Sequence, residues 1–179
     1  MNRLPLALGL LVASIAAAAP QACDPDNGGI TLPTGFCALV AADDLGPARH
    51  MIVAPNGDLY VALQTGAKGT GGGVVALRDT KGDGHFDMKE TFGEGSSTGI
   101  GLRNGYLYVA KVNSVERYKM TPGQLKPTGA AEVVVSGLEG VRQHGDKGLT
   151  FDGKGSLYVN VGAPSNACQT KDRTAKSPG

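Results

Sequence analysis

His144 stands in the stretch GVRQHGDKGLTFDGKGSLYVNVGAPSNAC, Gly140 to Cys168, just upstream of a strand–turn–strand pattern. Imidazole as a side chain titrates at about 6.5, so at neutral pH it can take a proton without much help from its surroundings. Held by a rigid sheet, such a ring serves as a general base; on a solvated turn it is only a loop histidine. A second group is DTKGDGHFDMKE, where Asp79, Asp83, Gly84, Asp87 and Glu90 fall at positions one, five, six, nine and twelve of a calcium loop. Lys81 occupies the third position, where a cation opposes Ca²⁺, and the context is strand–turn–strand without flanking helices. A plain hairpin, with Asp-Gly making the turn, is the competing account of these residues.

Elements that could hold these groups emerge from self-similarity. HMIVAPNGDLYVAL begins at His50, TGIGLRNGYLYVAK at Thr98 and KGLTFDGKGSLYVNV at Lys147. Each reads as an apolar strand, a Gly-containing turn and a Leu-Tyr-Val strand, and the equivalent leucines Leu59, Leu107 and Leu157 are 48 and 50 residues apart. GGVVALRDT and FDMKETFGE complete the first unit as two further strands, as do SVERYKMT and AEVVVSGLE in the second. Four short strands per unit at a period of roughly 40–50 residues is the pattern of a β-propeller blade. The fold class expected is therefore all-β, with a β-sandwich of similar hairpins as the alternative. Two units and the first half of a third make about two and a half blades, fewer than a ring needs to close. The expectation is the N-terminal portion of a larger propeller.

These residues carry a family resemblance. His144, Leu149, Phe151, Asp152, Gly153, the Leu157–Val159 strand, Gly162 and Asn166 resemble the glucose/sorbosone dehydrogenase family, soluble quinoproteins built as six-bladed propellers. The stretch CDPDNGGITLPTGFCALVAADDLGPARHMIVAPNGDLYVAL resembles the start of sorbosone-dehydrogenase-like members, so the likeness covers nearly everything after the leader. It implies oxidation of an aldose or sorbosone-like sugar aldehyde at pyrroloquinoline quinone (PQQ), with His144 taking the proton. A small-molecule sugar and an electron acceptor are the implied partners. The family's catalytic calcium, and most of its quinone-binding Lys and Arg residues, are expected from later blades. By repeat phase, His50 and Thr98 stand at corresponding blade entrances, with Arg49 and Ser97 beside them. Arg49 could face a quinone carboxylate through its guanidinium fork, or satisfy a blade-end carbonyl. Two other classes compete: a non-catalytic propeller binding carbohydrate or protein, and a metal-dependent propeller lactonase. The lactonase predicts convergent Glu, Asp and Asn at the entrances, where His50, Thr98 and Lys147 stand instead.

Bulk properties set the compartment and exclude partners. MNRLPLALGLLVASIAAAAPQAC has one cation, an apolar run and small residues, a secretory leader with cleavage after Ala18. Its apolar run is short for a membrane span of about 20 residues. A lipoprotein alternative using Cys23 lacks the aliphatic residue its motif needs. This divides the chain into a leader at 1–18, an N-terminal segment at 19–48 and propeller at 49–179, exported to the periplasm or medium. Cys23 and Cys37 would close a polar loop as a disulfide contributing about 3 kcal/mol. Cys168 is then left without a partner. Lys and Arg total 17 against 16 Asp and Glu with no like-charge block, so nothing supports nucleic acid as a partner. HExxH, P-loop and CxxC motifs are absent, and so is Trp, whose indole often stacks on sugars.

Overall fold

The computed structural model describes residues 22–66, 68–69, 71–140 and 144–163. The leader at 1–18, Asn166 and Cys168 lie outside them. Strands β1 (Ala48–Val53), β2 (Leu59–Thr65), β3 (Gly71–Arg78) and β4 (Met88–Phe92) form one antiparallel meander. Strands β5 (Ser97–Arg103), β6 (Tyr106–Lys111), β7 (Val115–Lys119) and β8 (Glu132–Val135) form a second. Strands β9 (Leu149–Phe151) and β10 (Leu157–Val159) pair as the hairpin of a third. The expected two blades and a half are there, strand for strand.

The Leu-Tyr-Val strand explains how the blades stack. Side chains alternate across a strand, so one face takes the Leu and Val positions and the other takes the Tyr. On β2, Tyr60 and Ala62 turn toward the second blade, where they meet Leu107, Val109 and Ile100. On β6, Tyr108 and Ala110 turn toward the third hairpin and pack near Leu149, Phe151, Leu157 and Val159. Tyr108 and Phe151 meet edge to face with ring centroids 5.0 Å apart. The remaining face of the first blade, Leu59, Val61, Leu63, Val75 and Leu77, packs with Ala42 and Leu45 of the N-terminal segment and with Phe86. That segment is fastened by a Cys23–Cys37 disulfide with Cα atoms 5.8 Å apart. Among the described residues, no helix is long and apolar enough to cross a membrane.

A buried ion pair ties the first two blades at the turn end. Asp58 lies under the β1–β2 turn and accepts from Arg78 Nε and Nη2, both at 2.6 Å, and from Asn56 Nδ2 at 2.8 Å. Arg78 Nη1 reaches across to the Gly123 carbonyl at 3.2 Å. Burial opposes the Asp58 charge, but the bonds from Arg78 and Asn56 outweigh it and hold the carboxyl below its ordinary value. A depressed carboxyl contributes stability that is present above the unfolded value near 3.8 and lost as pH falls through the folded one. Asp58→Asn is expected to cost about 2 kcal/mol at pH 7, because Arg78 keeps Gly123 and partial solvent. The gap to the parent should shrink below pH about 4, measured by urea unfolding of both proteins across pH 3–7. A gap that stays constant with pH would mean that the charge of Asp58 is not what stabilises this corner.

Candidate functional site

The opening strands of the two four-stranded units, β1 and β5, share an irregularity near their starts. In β1 the register slips between Ala48 and Met51, and in β5 between Ser97 and Gly99. Each slip inserts one extra residue, which re-aims a side chain away from the ladder. Counting back four places from the hairpin partners Val53, Leu102 and Phe151 puts Arg49, Thr98 and Lys147 at equivalent positions. The sequence phase had matched Thr98 with His50. The connection between the paired residues of the second unit is one residue shorter, closing on the Asn104-Gly105 turn, and this moves the match to Arg49.

The two bulge residues converge on one carboxylate. Asp146 Oδ2 accepts from Arg49 Nη2 at 2.9 Å, while its Oδ1 accepts from Gln64 Nε2 at 2.6 Å and Thr98 Oγ1 at 3.2 Å. Donors from β1, β2 and β5 thus meet just ahead of β9. Arg49 and Asp146 remain roughly half exposed, with side chains 42% and 48% accessible, so the pair contributes little to stability. Its consequence is positional. Glycine at 99 permits the close approach: a Cβ there would run into the Lys147 carbonyl oxygen and lie 3.0 Å from the Leu149 nitrogen.

His144 sits two residues from Asp146 and is half-buried. Its Nδ1 lies 2.8 Å from the Ala163 carbonyl oxygen. A carbonyl only accepts, so Nδ1 carries the proton, and in the neutral ring the lone pair is left on Nε2. Gly162 makes room for this contact, since a Cβ there would fall 2.7 Å from the His144 carbonyl oxygen. Between His144 and Asp146, the Gly145 carbonyl accepts from Lys147 Nζ at 3.1 Å, and Lys147 is fully buried. His50, at the first entrance, donates from Nδ1 to the Thr98 carbonyl at 3.0 Å.

Other sequence candidates fall elsewhere. Asp79 accepts from the amides of Gly84 and Gly82 at 2.7 Å and of Lys81 at 3.0 Å, bonds that hold its carboxyl below the usual range. Asp87 accepts from the Thr80 hydroxyl and amide, which bring it down to about 2. Asp83 accepts from the His85 amide, and Glu90 pairs with Lys126 at 2.6 Å. These carboxylates organise a turn and an ion pair, and among the described residues no three His, Cys, Asp or Glu side chains group to hold a metal. Gly95–Gly99 also fits the string GxSxG. Ser97, however, is fully buried on a strand, with its hydroxyl 2.6 Å from the Gly73 carbonyl oxygen, so it is no exposed nucleophile. Sequence reasoning missed Asp146 and Gln64. Only the register count, which puts Lys147 level with Arg49, pointed toward that corner.

No protein-family model and no curated protein matches the chain. Among solved structures it is similar to the holo form of the pyranose dehydrogenase PQQ domain from Coprinopsis cinerea, at 15% identity and a TM-score of 0.57. The likeness covers 69% of this chain and 30% of that one. A calcium structure of Trichoderma reesei Carbohydrate-Active Enzymes Family AA12 is similar at 19% identity and a TM-score of 0.55, over 69% and 31% of the two chains. The chain therefore spans about a third of the length of the structures it matches. At such identity the likeness speaks for architecture: the chain is all-β and folds as part of a β-propeller of the kind seen in PQQ domains.

Proposed function

We propose that this chain supplies the base-bearing blades of an exported, PQQ-dependent sugar dehydrogenase. The supporting observation is His144 with Nδ1–H fixed to the Ala163 carbonyl, which leaves Nε2 as the proton acceptor at the entrance of a third blade. In this reading His144 takes the hydroxyl proton of an aldose or of a hydrated sorbosone-like aldehyde. PQQ, when bound, supplies the two-electron acceptor, and a small redox partner reoxidises it. The donor set fits an anionic quinone in part: Arg49 uses one guanidinium nitrogen on Asp146, and its Nε and Nη1 are unengaged among the described residues. A calcium ion belongs to the same proposal, by likeness to the AA12 calcium structure rather than through Asp79, Asp83, Asp87 and Glu90. The leader pattern and the Cys23–Cys37 disulfide support export.

The rival, a non-catalytic carbohydrate- or protein-binding propeller, draws on one observation: Asp146 already offsets the charge of Arg49. Reconstitution separates them. The full-length protein, loaded with PQQ and Ca²⁺, should quench or shift the quinone spectrum on binding and reduce a dye when aldoses are added. Sugar binding without any quinone binding or dye reduction would favour the rival and end the dehydrogenase reading.

A further inference from the structure

Asp146 is a residue that neither the sequence motifs nor the fold likeness singles out, and it has the densest set of long-range bonds near His144. Its carboxylate collects Arg49, Gln64 and Thr98, which are 97, 82 and 48 residues away along the chain. Those donors sit on three strands of two blades, while Asp146 itself belongs to the third. Lys147, fully buried, then fixes the Gly145 carbonyl that lies between Asp146 and His144. The backbone leaving His144 is thereby held on both of the next two residues, and the ring itself is held by Ala163.

We propose that Asp146 is the positioning residue for His144, transmitting the packing of the first two blades to the imidazole of the third. The inference rests on His144 being the base of the proposed reaction. Chemistry explains why a carboxylate occupies this place. It offers acceptor sites on two oxygens, so it can serve a guanidinium, an amide and a hydroxyl together. An amide at the same position keeps one acceptor oxygen for Gln64 and Thr98 but turns an NH₂ toward Arg49. Alanine removes all three bonds. A graded response, alanine worse than asparagine, is therefore expected. Removing these bonds frees the loop to swing His144 away from Ala163, and misplacement of a base by about 1 Å costs on the order of 10²-fold in rate.

The chain contains three histidines, His50, His85 and His144, which makes imidazole ¹⁵N shifts a direct readout. His85 donates to the Val40 carbonyl far from Asp146 and serves as an internal control. In the parent, the ¹⁵N shifts of His144 should report the Nδ1–H tautomer. In Asp146→Ala they should move to the Nε2–H-rich mixture of a free imidazole, with His85 unchanged. Asp146→Asn should give an intermediate shift and guards against a failure of the alanine variant to fold. In the PQQ-loaded full-length enzyme, kcat of Asp146→Ala should fall on the order of 10²-fold with the sugar KM within about threefold. A His144 tautomer untouched in both variants, a shift shared equally by His85, or an unchanged kcat would overturn the proposal. If the parent shows no quinone-dependent turnover, the dehydrogenase reading fails by itself, and the ¹⁵N shifts still decide whether Asp146 positions His144.

Discussion

His144→Ala in the PQQ-loaded, full-length protein is expected to lower kcat by about 10²–10⁴-fold while leaving quinone affinity nearly unchanged. The reason is specific to one nitrogen. Nδ1 is committed to the Ala163 carbonyl, so Nε2 alone can receive a proton. His144→Asn is the sharper companion. Its amide can still donate to Ala163 and keep the loop in place, yet it has no basic nitrogen, so kcat should fall as far as in the alanine variant. Added imidazole should restore part of the rate in His144→Ala, where it finds a vacated volume, and much less in His144→Asn. His85→Asn, in the turn built by Asp79 and Asp87, should retain parental kcat. Steady-state dye reduction with each variant checks all of this, and parental turnover by His144→Asn would remove the base assignment.

The second large effect concerns stability. Leu107→Ala is expected to destabilise the chain by about 3 kcal/mol, within the 2–5 kcal/mol typical of a large-to-small change in a packed core. Leu107 is fully buried on the β6 strand of the second blade and belongs to the cluster that joins it to Tyr60 and Val74 of the first. It pairs with Leu102 on one side and Tyr118 on the other, and Tyr118 is itself packed edge to face on Phe92. Truncation therefore opens a cavity between two rigid sheets, which cannot easily collapse to fill it. For a domain of this length the loss corresponds to a fall in Tm of roughly 6–12 °C. Leu157→Ala removes the same side chain at the equivalent place in the third unit, where the leucine is only half-buried, and should cost about 1 kcal/mol. Urea midpoints at constant m-value test the contrast. Equal costs at the two positions would show that the blades do not share their cores as described.

The elements were legible in the sequence because a propeller blade writes itself locally. Period-two alternation, Asn-Gly and Asp-Gly turns and the recurring Leu-Tyr-Val strand all act over a few residues, and β1 to β10 fall where those signals lie. The site was less legible because its bonds are long-range and depend on register. A single residue fewer between Leu102 and Leu107 shifted the apparent phase, so His50 took the place that belongs to Arg49. The bulges that aim Arg49 and Thr98 leave no trace in composition. The calcium-like spacing has a second physical origin: Asp at turn positions is also the residue that best accepts from nearby backbone amides, as Asp79 does three times over.

The alternation of the Leu-Tyr-Val strand also gives the assembly a direction. Every unit turns its leucine backward and its tyrosine forward, so the two faces of a blade are unlike and stack only head to tail. Tyr60 and Tyr108 are 3% and 9% exposed, each covered by the unit ahead, whereas Tyr158 is 57% exposed. At the other end, Ala42 and Leu45 sit over the leucine face of the first unit. A heterologous contact of this kind, left unblocked, propagates from molecule to molecule. The disulfide-pinned N-terminal segment thus takes, on the leucine face of the first unit, the covering role that a neighbouring blade takes for the second and third.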